Sequence, residues 1–152
     1  MLSWTATDRG RWRGPSTGEP GQGTSARTYQ CEFGKTFIYI RNTSVSTSQP
    51  TSPNGEVHQG TGFFSFDQTR KRLVLRQFHS EGFVDQYVLD PSASDGRLLV
   101  FVTEVIENIS AGWCALETYR NISPDECVET FELTAPGKAC TPYSECRLRR
   151  VT

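Results

Sequence analysis

The 152-residue chain has little net charge, few histidines and no long apolar run. Its 16 Lys and Arg oppose 17 Asp and Glu, a formal net charge of −1. That balance removes any bulk attraction to nucleic acid or to an anionic bilayer. The short basic run Arg147, Arg149, Arg150 reads as a solvated strand end. No apolar stretch approaches the roughly 20 residues of a membrane-spanning helix. The N-terminal segment MLSWTATDRGRWRG lacks the apolar core of a secretory signal, so a cytoplasmic location is expected. The five cysteines (Cys31, Cys114, Cys127, Cys140 and Cys146) are odd in number and form no Cys-x-x-Cys. Neither a disulfide framework nor a zinc finger follows. Free, mostly packed thiols are expected, with Cys140 and Cys146 able to pair on oxidation.

Catalytic signatures are equally scarce. There is no Gly-x-Ser-x-Gly elbow, and neither His58 nor His79 has a nucleophile at a motif spacing. Ser80 follows His79, but adjacent strand residues point to opposite faces. The GEPGQG run at 18–23 is not followed by Lys-Ser/Thr and reads as a loop, not a phosphate cradle. A metal site needs about three clustered ligands. The one candidate set is His58 and His79 with Glu104 or Glu117, and no metal or cofactor is expected. Glu104 and Glu117 alone form a candidate carboxylate pair for acid–base work. The plainer reading puts both on the outer face. Asn42-Thr43-Ser44 and Asn108-Ile109-Ser110 match the glycan acceptor pattern, which has meaning only in a secreted protein.

What the chain does have is aromatics, with nine Phe, five Tyr and three Trp, set in short runs with β-branched residues. Strands are expected near 10–14, 27–33, 36–43, 57–66, 72–79, 83–89, 97–106, 113–120, 126–133 and 143–150. Turn signals separate most of them. The polar stretches at 15–25 and 44–55 read as loops, the second a mobile flap over an opening. Helix is limited to one turn near Asn108–Gly112. Short links favour up-and-down neighbours, and a sheet this wide removes its edges by closing. The expectation is one all-β domain over 1–152, a closed antiparallel up-and-down barrel of about 8–10 strands with room for one small ligand. A flattened two-sheet sandwich has the same strand count.

The inward face follows from two turns. A two-residue Glu81-Gly82 loop would set Gln77 against Gln86 and Leu75 against Val88. The preceding turn pairs Asp67 with Arg72, and so Phe64 with Leu75 and Gly62 with Gln77. One face then carries His58, Gly60, Gly62, Phe64, Phe66, Leu73, Leu75, Gln77, His79, Val84, Gln86 and Val88. The other holds the full charges, Arg76 and Asp85 among them. Charges are rarely buried unpaired, so the first face is assigned to the interior. It is apolar except for His58, Gln77, His79 and Gln86, with space left by Gly60 and Gly62.

Gly10-Arg11-Trp12 matches the Gly-x-Trp at the barrel base of lipocalins and other calycins. The segment GEVHQGTGFFSFDQTRKRLVLRQFHSEGFVDQYVLD at 55–90 resembles bacterial lipocalin-like, calycin-type proteins of uncharacterised function, related in pattern to the DUF1579 group. The resemblance implies the barrel fold, with an Arg of the last strand, Arg147 or Arg149, covering Trp12. Nitrobindin-like haem-binding barrels share this architecture and hold iron through a His of the late strands. Here those strands have none, so His79, His58 or Tyr143 would have to serve.

The leading expectation is therefore non-catalytic binding of a small, largely apolar molecule inside the barrel, with His58, Gln77, His79 and Gln86 as polar contacts. The alternatives are an enzyme of isomerase or cyclase type with His79 as general base, a haem-binding barrel, and an interaction module with a filled core. Neither nucleic acid nor membrane is an expected partner. Homodimerisation is left open.

Overall fold

A computed structural model describes residues 10–18, 21–48, 50 and 52–152. Most of the N-terminal segment read above for a leader, together with positions 19–20, 49 and 51 of the two polar stretches, lies outside the described residues.

Ten strands run in sequence order: β1 (Gly10–Gly18), β2 (Gly23–Glu32), β3 (Phe37–Ser46), β4 (Val57–Asp67), β5 (Arg72–His79), β6 (Val84–Leu89), β7 (Leu98–Glu107), β8 (Cys114–Ser123), β9 (Glu126–Thr134) and β10 (Thr141–Val151). Each pairs antiparallel with its neighbour in sequence, and β1 pairs with β10 to close the barrel. Among the described strands no sheet edge is left unpaired. Phe33–Lys35 forms a single 3-10 turn between β2 and β3, with Gly34 at φ 67°. Asn108–Gly112 is an irregular turn without helix.

The stretch at 15–25 is not a loop over most of its length. β1 continues through Gly18 and β2 starts at Gly23, with Pro15 opposite Thr24 and Ser16 opposite Gly23. Small side chains suit this ladder end. Pro15 has no N–H to donate, and the β1–β10 ladder skips from Arg13 to Ser16.

The β4–β5 register is the one the Asp67–Arg72 turn implies: Phe64 faces Leu75 and Gly62 faces Gln77. The β5–β6 register is not as expected. The connection has three residues, Ser80, Glu81 and Gly82. His79 N–H donates to the Phe83 carbonyl at 3.1 Å, Gly82 N–H donates to the His79 carbonyl at 2.9 Å, and Gly82 takes φ 94°. Gly at a positive φ in a three-residue hairpin loop shifts the pairing by one. Gln77 therefore faces Asp85, Leu75 faces Tyr87 and Arg76 faces Gln86. A one-residue slip turns a whole strand over. Asp85, Tyr87 and Leu89 point inward and are buried, whereas Val84, Gln86 and Val88 belong to the outer face.

One end of the barrel is filled. Ile40, Leu75, Tyr87, Phe101 and Leu148 have no exposed surface, and Trp12, Phe64 and Leu89 have almost none. Burying each such side chain contributes about 1.5–3 kcal/mol. Trp12 lies beneath the guanidinium of Arg150. Arg147 and Arg149, the two arginines expected to cover Trp12, are on the outer face instead, where both meet Glu126. Strand alternation explains this, because residues 146, 148 and 150 share the inner face. Phe66, placed inside by alternation, stands beyond the core at the rim and is exposed.

Candidate functional site

The other end of the barrel is not filled. A cavity of about 320 Å³ opens there. Strand by strand, inward positions change from apolar to polar along the axis. β5 reads Leu73, Leu75, Gln77, His79, and β2, from the opposite direction, reads Cys31, Tyr29, Arg27, Ser25. The hairpin ends β1–β2, β3–β4, β5–β6, β7–β8 and β9–β10 surround the mouth, because up-and-down winding puts alternate connections at one end. Phe83, Ile106, Phe131, Leu133 and Tyr143 give the cavity apolar walls.

Two hydrogen-bonded groups make its polar side. In the first, Asn42 Nδ2 donates to Gln77 Oε1 at 2.9 Å, Gln77 Nε2 donates to Glu117 Oε1 at 2.5 Å, and Tyr119 donates its hydroxyl to Glu117 Oε2 at 2.5 Å. Burial pushes the Glu117 carboxyl up. The two donors pull it down and Glu129 pushes it further up, and it ends above the ordinary value. In the second, Asp85 Oδ2 contacts His79 Nε2 at 3.1 Å and accepts the Tyr87 hydroxyl at 2.9 Å. Burial, with Glu117 and Asp85 close by, raises the Tyr87 hydroxyl well beyond its ordinary range. A carboxylate accepts only, so in this contact His79 Nε2 is the donor to Asp85. The His79 ring is stacked on Phe83, centroids 4.2 Å apart.

Arg27 is the one charge of its strand that faces in. Its Nε donates to Glu129 Oε2 at 2.8 Å, Nη1 to the Ala26 carbonyl at 3.1 Å and to Ser44 Oγ at 3.5 Å, and Nη2 to Cys146 Sγ at 3.8 Å. Tyr29 donates to the other oxygen of Glu129 at 2.7 Å. Burial works against the Arg27 charge, but Glu129 and its neighbours more than offset it, and the guanidinium stays protonated. A void of about 40 Å³ separates this pair from Glu117 and Asn42.

Two of the four expected contacts, Gln77 and His79, do line the cavity. His58 lines its rim, where it meets Glu81 and, at 3.1 Å, Glu56. Gln86 does not face in. It accepts from Arg76 Nε at 2.8 Å and donates to Glu104 at 2.9 Å on the outer wall, a correction that follows from the three-residue turn. For the same reason Arg76 and Asp85 do not meet. The expected outer-face pair Glu104 and Glu117 is split. Glu104 bonds Arg70 and Gln86 outside, while Glu117 is inside. Among the described residues no group of three His, Cys, Asp or Glu side chains is arranged to hold a metal ion.

The two glycines differ. A Cβ at Gly60 would meet nothing closer than the Phe78 carbonyl at 3.4 Å, with His79 Nδ1 at 3.7 Å and Asn42 Cβ at 3.9 Å. Gly60 therefore opens room beside the polar groups. A Cβ at Gly62 would lie 2.1 Å from the Arg76 carbonyl, so Gly62 permits close strand approach rather than making space.

Sequence reasoning missed Arg27, Asn42 and Glu129, placed Asp85 on the outer face, and named Glu117 as a candidate carboxylate while its plainer reading put it outside. Strand alternation does put Ser25, Arg27, Tyr29 and Cys31 on one face, but no local pattern shows that Glu129 meets the charge. Cys127 and Cys146 are buried thiols, the first pushed up to about 12 by burial.

No family model matches the sequence, and no curated protein matches it. Among solved structures the chain is similar to the crystal structure of Rv2717c from M. tuberculosis, with a TM-score of 0.69 over 97% of this chain and 94% of that one at 16% identity. A de novo designed fluorescence-activating β-barrel aligns over 99% of this chain and 100% of its own with a TM-score of 0.47 and 15% identity. The first of these likenesses supports the barrel fold. None of the helices formed by the described residues is long and apolar enough to cross a membrane.

Proposed function

We propose that this chain is a lipocalin-like binding protein that takes one small, largely apolar molecule into the open end of its barrel. The observation that carries the reading is the cavity of about 320 Å³, bounded by aromatic and aliphatic walls on one side and by the Gln77 and His79 groups on the other. Its size falls at the lower end of the roughly 300–1,000 Å³ of small-molecule sites, and the mix of apolar walls with a few polar groups is their usual form. The filled-core alternative has less support, since the core occupies only one end. Haem has less support as well: Asp85 engages His79 Nε2, and Glu56 and Glu81 engage both nitrogens of His58.

The test uses N-phenyl-1-naphthylamine, a neutral probe that brightens in apolar surroundings. Saturable one-to-one binding is expected. Gly60→Phe, which fills the space beside His79 and Asn42, should weaken it at least tenfold while leaving the unfolding midpoint nearly unchanged. Absence of saturable binding to the unsubstituted protein, or equal binding by Gly60→Phe, removes the reading.

A further inference from the structure

We propose that the group bound at the polar end of the cavity is a protonated amine carried on an apolar body, seated over Gly60 between Asn42, His79 and Asp85. This rests on the reading that the cavity takes a small molecule, and it names the class of that molecule.

The first observation is that, among the described residues, the basic side chains lining the cavity are all engaged already, His79 by Asp85. Arg27 spends each of its three nitrogens on Glu129, Ala26, Ser44 and Cys146. His58, at the rim, is held between Glu56 and Glu81. An anionic head group would have to break such bonds, and would then meet the carboxyl groups of Asp85 and Glu117 in the same cavity, where like charges repel. The second is an unmet acceptor. Asp85 is 1% exposed and lines the cavity. Its Oδ2 takes the His79 and Tyr87 protons, while Oδ1 has no hydrogen-bond partner among the described residues. Asn42 Oδ1 is likewise buried and unmet. Buried acceptors of this kind are rare in folded proteins because each forfeits a hydrogen bond. The third is position. The His79 ring borders the gap over Gly60 through Nδ1, 3.7 Å from where a Cβ would stand, with Asn42 on the other side.

An ammonium group answers all three at once. It carries three donors and no acceptor, and its charge offsets carboxylates that Arg27, already matched to Glu129, does not neutralise. The apolar remainder would lie against Phe83, Ile106 and Phe131.

Isothermal titration of the full chain with 4-phenylbutylamine, 4-phenyl-1-butanol and 4-phenylbutyrate at neutral pH tests this. The three share one body and differ in head group. The amine should bind at least tenfold more tightly than the alcohol, and the carboxylate more weakly than either. Asp85→Asn should bring the amine down to the level of the alcohol. If Asp85→Asn does not fold, Asn42→Leu serves as the second variant, and the ranking on the unsubstituted protein decides by itself. Equal binding of amine and alcohol, or preference for the carboxylate, overturns the proposal while the cavity remains a binding site. If none of the three binds while N-phenyl-1-naphthylamine does, the amine proposal fails and the functional reading stands.

Discussion

The guanidinium carbon of Arg150 lies 4.7 Å from the centroid of the Trp12 ring. Two chain ends separated by nearly the whole sequence thus meet at the filled end of the barrel. Arg150 also donates to Asp125 Oδ1 at 3.1 Å, so the contact links the β1–β10 seam to the β8–β9 turn. Arg150→Ala should cost about 1–2 kcal/mol. Trp12→Ala should cost about 3–5 kcal/mol through the cavity it leaves. Trp12→Phe should be milder, because the buried Trp12 Nε1 has no hydrogen-bond partner among the described residues and its loss strands nothing. Urea unfolding gives all three values. An Arg150→Ala variant as stable as the parent would mean the stacking contributes nothing to closure.

The slip at the β5–β6 turn separates two glutamines that the sequence treats alike. Gln77→Leu leaves the Asn42 Nδ2 donor and the Glu117 Oε1 acceptor without a partner inside the barrel. A cost of about 1–3 kcal/mol is expected for that. Gln86→Leu changes only an outer-wall contact and should stay within about 0.5 kcal/mol. Similar losses at both positions in chemical denaturation would restore the inward Gln86 of the two-residue turn.

Gly60 and Gly62 make a paired test of backbone approach against space. Gly62→Ala forces a Cβ onto the Arg76 carbonyl and should prevent stable folding or lower the unfolding temperature sharply. Gly60→Ala meets only ordinary contacts and should change stability by no more than about 1 kcal/mol. Thermal unfolding followed by circular dichroism compares them. Equal behaviour would contradict the close approach of β4 and β5 at Gly62.

Much of the fold was legible because its signals are local. Turn residues and alternating apolar positions located ten strands, and the Asp67–Arg72 turn set the β4–β5 register correctly. Gly10-Arg11-Trp12 marked the closed end. The site was less legible for two physical reasons. A hairpin loop of two residues and one of three can share the dipeptide Glu81-Gly82, and the choice inverts every residue of β6. The rule against buried charge also misled, since it holds only for unpaired charges. Arg27 and Glu129 are 102 positions apart, and only closure of the barrel brings them together.

At the rim, His58 ties the start of β4 to the β5–β6 turn through Glu81. Partial burial opposes its charge, but Glu81 first and then Glu56 outweigh this, and its pKa lies above the ordinary 6.5. A raised histidine contributes stability that is complete below the unfolded value and is lost as pH rises through the folded one. Solvent reaches this pair, so the effect should be under about 1 kcal/mol. His58→Gln should therefore be less stable than the parent in mildly acidic buffer and match it once the pH passes the folded value. A gap that does not close with rising pH would assign His58 a purely steric role.

Glu117 should give the opposite pattern to a salt-bridged carboxylate. Its folded pKa is raised, by burial first and by Glu129 next, despite the Tyr119 and Gln77 donors. Below the ordinary carboxylate value of 4.5, both folded and unfolded chains hold the proton, and Glu117 costs nothing. Above it the unfolded chain ionises first. The unfolded state then binds fewer protons than the folded one, so the stability contribution falls as pH rises until the folded pKa is passed, and is level beyond. Surface carboxylates such as Asp67 and Asp95, which are lowered by their own hydrogen bonds, titrate in the same acid range with opposite sign. The difference between Glu117→Gln and the parent isolates the buried group, because those surface terms cancel. Glutamine keeps the shape and an acceptor for Gln77 but never ionises. Its stability relative to the parent should rise from about pH 4.5 toward neutrality and then level off in a series of urea titrations. A difference that stays constant across that range would show that Glu117 ionises as readily inside the barrel as in the unfolded chain, and that the polar end of the cavity is wet enough to solvate it.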